Sequence, residues 1–420
     1  MTKNDIEPQS VTVAGERSRT EPYELPAGWK WCKQSEVCKL TDGEKKSDVP
    51  YPYLEVKYLR GNKDKDFVSS GKFITARTKV ILVDGENSGE VFTVPEDGFM
   101  GSTFKALSIQ NVDENYLQFF IQTKKDLYRN NKKGSAIPHL NKDLFFNMPF
   151  PLPPTLAEQQ RIVSRIESLF TKLDEAKDKA QSVVDGFELR RAAVLHKAFT
   201  GELTANWCKE HGVSDDSWEE KTLEGCCDFI TKGTTPKKED MSIGKGDIPY
   251  IKVYNLCFDT NLDFSINPTF VSKKSHKEFL ARSITLPGDV LMNIVGPPFG
   301  KVSIVPELYS EWNINQAIAR FRCKENLLNK YLANFLISPL AIDALKRQIK
   351  TTAGQQNLTL EICRKLKIKI PTLAEQQEIV RILDSVLEKE ADAKETAEYV
   401  LEQIDLLKKS ILARAFRGKL

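Results

Sequence analysis

The stretch "PTLAEQQRIVSRIESLFTKLDEAKDKAQSVVDGFELRRAAVLHKAFTGEL", Pro154–Leu203, recurs without a gap as "PTLAEQQEIVRILDSVLEKEADAKETAEYVLEQIDLLKKSILARAFRGKL", Pro371–Leu420. About 21 of the 50 positions are identical, so the chain is built from two tandem halves. Each copy reads as one long helix. Thr155 and Thr372 are N-cap candidates with Glu158 and Glu375 three residues on, the spacing of a capping box. A proline precedes each cap and cannot extend the helix backwards. Gly201 and Gly418 stand where a left-handed residue ends a helix.

Apolar residues in each copy recur at alternating steps of four and three. They are Ile162, Ile166, Leu169, Leu173, Ala176, Ala180, Val183, Phe187 and Val194, then Ile379, Leu383, Val386, Ala393, Ala397, Val400, Ile404, Leu407 and Ile411. That period makes a coiled-coil seam, and two matched seams in one chain are most simply satisfied by each other. Arg190 and Glu390 interrupt it. About 44 helical residues span roughly 65 Å, the length of a rod.

Working outward, the rods leave two domain-sized segments, 22–153 and 206–370, after a polar N-terminal arm, 1–21. The spacer helices occupy 154–205 and 371–420. The two segments share weak landmarks in the same order: "YPYLEVKYL" and "IPYIKVYNL", then "ARTKVILVDG" and "LPGDVLMNIVG", then a basic polar stretch and a short strand before the rod. The expected fold class is α+β: two mixed α/β domains separated by two long antiparallel coiled-coil helices, with a pseudo-twofold internal repeat.

A length of 420 residues fits two to four units. The N-terminus has no apolar run of the signal-peptide kind, and no segment approaches the roughly 20 apolar residues of a membrane span. The net charge of +3 is too small to argue for nucleic acid by itself. Eight scattered cysteines without a C-x-x-C pair, beside four histidines, give no zinc pattern and fit a reducing cytoplasm.

Charge is nonetheless local. "KKDLYRNNKKGS" supplies Lys124, Lys125, Arg129, Asn130, Asn131, Lys132, Lys133 and Ser135. "FITKGTTPKKED" supplies Lys232, Thr234, Thr235, Lys237 and Lys238, and "FVSKKSHKEF" adds Lys273 and Lys274. "LKRQIKTTAGQQN" supplies Lys350, Thr351, Thr352, Gln355, Gln356 and Asn357. Lys and Arg neutralise phosphates, while amides and hydroxyls read base edges. Any one such loop could be an ordinary solvated turn; four in two parallel segments point to DNA.

Three catalytic motifs are mimicked. "NIVGPPFGK", Asn293–Lys301, lacks the side chain that opens an adenine-methyltransferase motif, because Gly296 stands there. Val302 follows Lys301 where a P-loop needs Ser or Thr, which leaves a Pro-Gly turn. Glu55-x-Lys57, with Asp42 and Asp48 upstream, is a weak match to a Mg²⁺-dependent nuclease. The four histidines assemble no triad. No catalytic residue and no metal site are assigned. The alternatives to a DNA reader are a stand-alone metal-dependent nuclease using Glu55 and Lys57, and a structural coiled-coil adaptor.

The motifs opening each rod (Pro154–Val163, Pro371–Val380) and closing it (Ala198–Leu203, Ala415–Leu420) resemble the specificity subunits of type I restriction–modification enzymes over about residues 22–420. The resemblance implies two target-recognition domains, each reading half of a bipartite double-stranded DNA site, and spacer helices that set the gap. It implies a non-catalytic, cytoplasmic subunit docking two methyltransferase subunits, with room for two restriction (translocase/nuclease) subunits. No cofactor is expected on this chain; S-adenosylmethionine, ATP and Mg²⁺ are expected on those partners. Ile162, Val163, Ile166 and Leu169 with Ile379, Val380, Leu383 and Val386 are the expected spacer and partner-binding residues, Val163 and Val380 lying beside the seam.

Overall fold

The computed structural model describes residues 22–134, 138–214, 217–296, 299–348, 350–352 and 355–420, of which 350–352 and 355–356 are described by backbone alone. The N-terminal arm and Ser135 lie outside the described residues. The two copies of the repeat are single helices, Leu156–Thr200 and Leu373–Ala415. Among the described residues no helix is long and apolar enough to cross a membrane.

The helices end as read. Gly201 and Gly418 have φ of +87° and +64°, and the amides of Leu203 and Lys419 return to the carbonyls of Lys197 and Arg414. Their starts differ from the expectation. Thr155 and Thr372 accept from the amides of Glu158 and Glu375 at 3.2 and 3.3 Å, but neither glutamate turns back to its cap. Glu158 pairs with Arg161. Glu375 is buried and accepts from Thr204, Cys208 and Trp218. An arginine one turn along the same helix takes Glu158, and tertiary donors take Glu375, in place of the cap amide.

Contacts divide the chain into two units, Met1–Ala180 with Tyr399–Leu420, and Gln181–Glu398. Each unit holds one globular domain and a piece of both long helices.

In the first unit Lys30–Lys33 pairs antiparallel with Pro149–Leu152, joining the entry and exit of the domain. A four-stranded antiparallel sheet runs Cys38–Thr41, Phe104–Ile109, Lys79–Leu82, Val91–Thr93. Glu44–Leu54, Phe67–Ile74 and Gly98–Met100 close a small barrel, with Tyr53 parallel to Phe99. One sheet face and the helix Glu114–Thr123 enclose the core. That core also takes Ile162, Val163 and Ile166 from the start of the first long helix, and Leu412, Ala415 and Phe416 from the end of the second.

The second unit repeats this plan. Glu219–Thr222 pairs with Lys367–Ile370. The four-stranded sheet runs Cys227–Lys232, Ile318–Cys323, Val290–Asn293, Val302–Ile304. A five-stranded sheet replaces the barrel, and its Tyr250 runs parallel to Asn313. The core takes Ile379, Val380 and Leu383 from the start of the second helix and Leu195, Ala198 and Phe199 from the end of the first.

The shared motif of the rods has a structural explanation. Gln159 and Gln376 are both buried. Each accepts from the amide that opens the domain helix, Asp113 at 2.7 Å and Leu328 at 2.9 Å. Phe416 packs on Tyr116 and Phe120, and Phe199 packs on Tyr331 and Phe335. "NYLQFFI" and "KYLANFL" therefore occupy one position in the two domains.

Within each unit the helix segments run antiparallel. Asp174 pairs with Lys408 while Arg161 reaches the Leu420 carbonyl; in the second unit Phe187 lies against Lys394, and Arg190 against Glu390. The first copy's seam holds. The second slips, because Ala393 and Leu407 are exposed and Lys394 and Lys408 take their places, their ammonium groups over Phe187 and Phe170 at 4.8 and 5.1 Å. A lysine stem fills an apolar groove while its head finds an aromatic face. The two interruptions meet: Arg190 Nε donates to Glu390 at 2.7 Å.

Candidate nucleic-acid interface

In the first domain Thr41 lies opposite Ala106 and Leu82 opposite Phe104. The chain leaving Thr41 and Leu82 and entering Phe104 therefore gathers at one end of the four-stranded sheet. There the Leu140 amide donates to Val83 O at 2.7 Å, and Lys133 and His139 exchange backbone bonds of 3.0 and 2.8 Å. His139 also bridges to Asp84. In the second domain Lys232 lies opposite Ala319 and Asn293 opposite Ile318. The Leu358 amide donates to Ile294 O at 2.9 Å, and Asn357 bridges to Val295. The two basic polar stretches thus reach the same position in both domains, each laid against the turn that follows the equivalent strand.

The first-domain stretch is not one loop, as the sequence suggested. Lys125–Asn130 is a helix that buries Tyr128. Lys124 is half-buried, its ammonium 5.4 Å from the Phe120 ring, and burial lowers its pKa. Lys125 faces Glu90 at 3.8 Å, Arg129 donates to Asn87 at 2.5 Å, Lys132 pairs with Glu86 at 2.6 Å and Lys133 with Asp143 at 2.5 Å. His139 meets Asp84 at 2.6 Å. The lysines hold the Glu86 and Asp143 carboxyls below the usual range. Asn130 and Asn131 are exposed, Asn131 donating to Leu127 O at 2.9 Å.

The second domain presents freer cations. Lys232, Thr235, Lys237 and Lys238 are exposed. Gly233 lies so close to the Ile314 and Asn315 carbonyls that no side chain would fit. That contact fixes Thr234, whose hydroxyl accepts from Arg282 at 2.9 Å and whose carbonyl accepts from Tyr250 at 2.8 Å. Met241 pairs antiparallel with Val271, which puts Lys237 and Lys238 at the same end of the strands as Lys273 and Lys274. Those two are exposed on the helix Lys273–Lys277. Lys350–Thr352 and Gln355–Asn357 form a hairpin with Lys350 opposite Asn357, Thr351 opposite Gln356 and Thr352 opposite Gln355.

Sequence reasoning passed over four basic residues in this domain. Lys301 closes the turn beside this hairpin, backbone-bonded to Asn293 at 3.1 Å, its ammonium 5.6 Å from Phe258. Arg282 orients Thr234. Arg320 and Arg322 flank Phe229 at 4.7 and 4.8 Å, Arg322 held by Asp289. The alternation in "IARFRC" was the available signal, since it puts both arginines on one sheet face.

The nuclease candidates do not converge. Glu55 follows the strand and pairs with Lys63, Asp42 pairs with Lys72 and Lys105, and Asp48 accepts from Ser47. Among the described residues no group of three His, Cys, Asp or Glu side chains could hold a metal ion. The spacer candidates are also repositioned. Ile162, Val163, Ile166, Ile379, Val380 and Leu383 are buried in the cores of their own domains, so Val163 and Val380 present no free edge to a partner. Leu169 and Val386 are half-buried. Among the described residues the exposed large apolar side chains of the helices are Leu156 and Leu373 at their starts, and Leu189, Tyr399, Leu406 and Leu407 further along.

Residues 26–183 and 215–403 match the family described as type I restriction modification DNA specificity domain. The type I restriction enzyme MjaVIII specificity subunit of Methanocaldococcus jannaschii is 25% identical over 420 residues, covering 94% of each chain. The EcoBI specificity subunit of Escherichia coli is 24% identical, covering 92% of this chain and 82% of its own. Among solved structures, a chain from a type I R-M system studied for its assembly and conformational transition superposes with a TM-score of 0.72 at 20% identity, over 95% of this chain and all of its own. The HsdS subunit from Thermoanaerobacter tengcongensis gives 0.62 at 20% identity, over 95% and 99%.

Proposed function

This chain belongs to the type I restriction modification DNA specificity domain family, and from that premise we propose that it is the sequence-reading, non-catalytic subunit of a DNA-modifying complex in the cytoplasm. The observation that carries the reading is the paired placement of two basic, amide-rich segments on the same turn of two equivalent domains. Each domain reads one half of a bipartite duplex site. The paired helices set the gap between the halves and, with the domains, dock two methyltransferase subunits; two restriction subunits join that assembly. S-adenosylmethionine, ATP and Mg²⁺ belong to those partners.

Lys232, Lys237, Lys238, Lys273, Lys274, Lys301 and Lys350 contact phosphates in the second domain; Lys124, Lys125, Arg129, Lys132 and Lys133 hold the counterpart place in the first and contribute less, Lys132 and Lys133 being engaged by Glu86 and Asp143. Thr234, Thr235, Thr351, Thr352, Gln355, Gln356 and Asn357, with Asn130, Asn131 and Ser135, supply neutral groups for base edges. Exposed Leu189, Tyr399, Leu406 and Leu407 take the partner-docking role in place of the buried Val163 and Val380.

The test is N6-methyladenine mapping in cells carrying the chain with its methyltransferase partner. A single bipartite motif should appear. Exchanging residues 206–370 for the matching segment of a relative should change one half of the motif only. Methylation independent of this chain, or a hybrid that alters both halves, would overturn the reading.

A further inference from the structure

The equivalence of the two domain helices exposes a difference beside the long helices. In the first unit Phe119 of the domain helix meets Phe170 of the long helix, ring centroids 5.8 Å apart. Asn115 and Glu167 join one turn away. The aligned positions in the second unit are Asn334 and Leu387, with Lys330 paired to Asp384 at 2.6 Å. Two rings have become an amide and a smaller side chain, and the corner stands open. It forms a groove of about 1050 Å³ between the domain helix, the edge strand leading to Val305 and Pro306, the loop Asp259–Leu262 and the long helix.

The floor is apolar: Leu262, Ile304, Val305 and Leu387. The rim carries Asp259, Asp384 and Glu388, against the single cation Lys330, which is already paired. An acidic rim repels nucleic acid and attracts a cationic peptide. We propose that this groove docks a segment of the methyltransferase subunit that carries a lysine or arginine beside an apolar side chain. The inference rests on the proposed function, because it assumes that such a subunit binds. The filled corner in the first unit offers no equivalent, so the groove serves one half of the molecule only.

The test measures assembly of the full-length chain with its methyltransferase subunit across a range of salt. Asp259→Lys with Glu388→Lys alters exposed side chains and should weaken assembly about tenfold and flatten its salt dependence. Asn334→Phe with Leu387→Phe recreates the aromatic pair of the other half and should weaken assembly similarly by filling the groove. Circular dichroism and a thermal melt check each variant's fold. Unchanged affinity in the folded charge-reversal variant overturns the groove while leaving the proposed function intact. A wild-type chain that does not bind the methyltransferase overturns both.

Discussion

In the first domain the turn after Lys79–Leu82 runs Asp84-Gly85-Glu86-Asn87, and its acids meet His139 and Lys132. In the second, the described residues of the same turn, Val295, Gly296 and Phe299 to Lys301, include a cation and no acid. The frame beneath is shared: Gln159 and Gln376, Tyr116 and Tyr331, Phe416 and Phe199 hold equivalent places. Framework positions are constrained by packing, where one methylene matters. The turns above face solvent and can change charge without touching the core. The two halves therefore keep one scaffold while presenting different surfaces to a ligand.

The comparison can be broken hardest at the frame. Phe199→Ala and Phe416→Ala should each cost about 3–5 kcal/mol, since each leaves a cavity against a Tyr and a Phe. Denaturant unfolding should show similar losses; a silent substitution on one side would show that the halves are not anchored alike. The two helix ends give a graded version. Gly201→Ala should cost about 1–2 kcal/mol for the left-handed backbone alone. Gly418→Ala should cost about 1 kcal/mol more, because its new methyl also collides with Pro26. Equal losses would remove the Pro26 contact from the account.

The loops sharpen the comparison on DNA. In the assembled complex, Lys232→Ala with Lys301→Ala should reduce the salt-dependence slope by about 2, or about 1 per lost phosphate contact. Lys132→Ala with Lys133→Ala should change it by less than about 1, because Glu86 and Asp143 already occupy those cations. Equal slopes from binding isotherms at several salt concentrations would refute the electrostatic contrast.

The smallest effect concerns Asp42, whose carboxyl is held at about 2 by Lys105 and Lys72. A depressed folded-state pKa stabilises above the ordinary carboxylate value and is lost as pH falls from near 4 through about 2. The cluster lies at the surface, with Asp42 about half exposed and its lysines partly so, so Asp42→Asn should cost only a few tenths of a kcal/mol at pH 7. The melting difference from wild type should vanish near pH 2.

The rods were legible because a helix writes its burial at a fixed period. Both lengths, both glycine ends and the first seam read correctly. The second seam slipped because lysines can occupy seam positions when an aromatic ring waits opposite, and period alone does not see the partner. The sheet landmarks also read correctly, "YPYLEV" and "IPYIKV" lying in equivalent parallel pairs. Lys125–Asn130 was hidden because its polar residues mask one buried tyrosine. Lys301 was hidden because a Pro-Gly turn signals shape and says nothing of what approaches it.

The crossed anchoring of the domains bears on the order of synthesis. The second domain takes Phe199 and Ile379 from segments on either side of it, so its core can close soon after the ribosome passes Leu383. The first domain needs Leu412, Ala415 and Phe416, made only after the whole second domain. Until then Tyr116 and Phe120 lack their cap, and the nascent first domain waits with an open apolar face. A chaperone that covers such faces should engage the first domain longer than the second, although the first is made earlier.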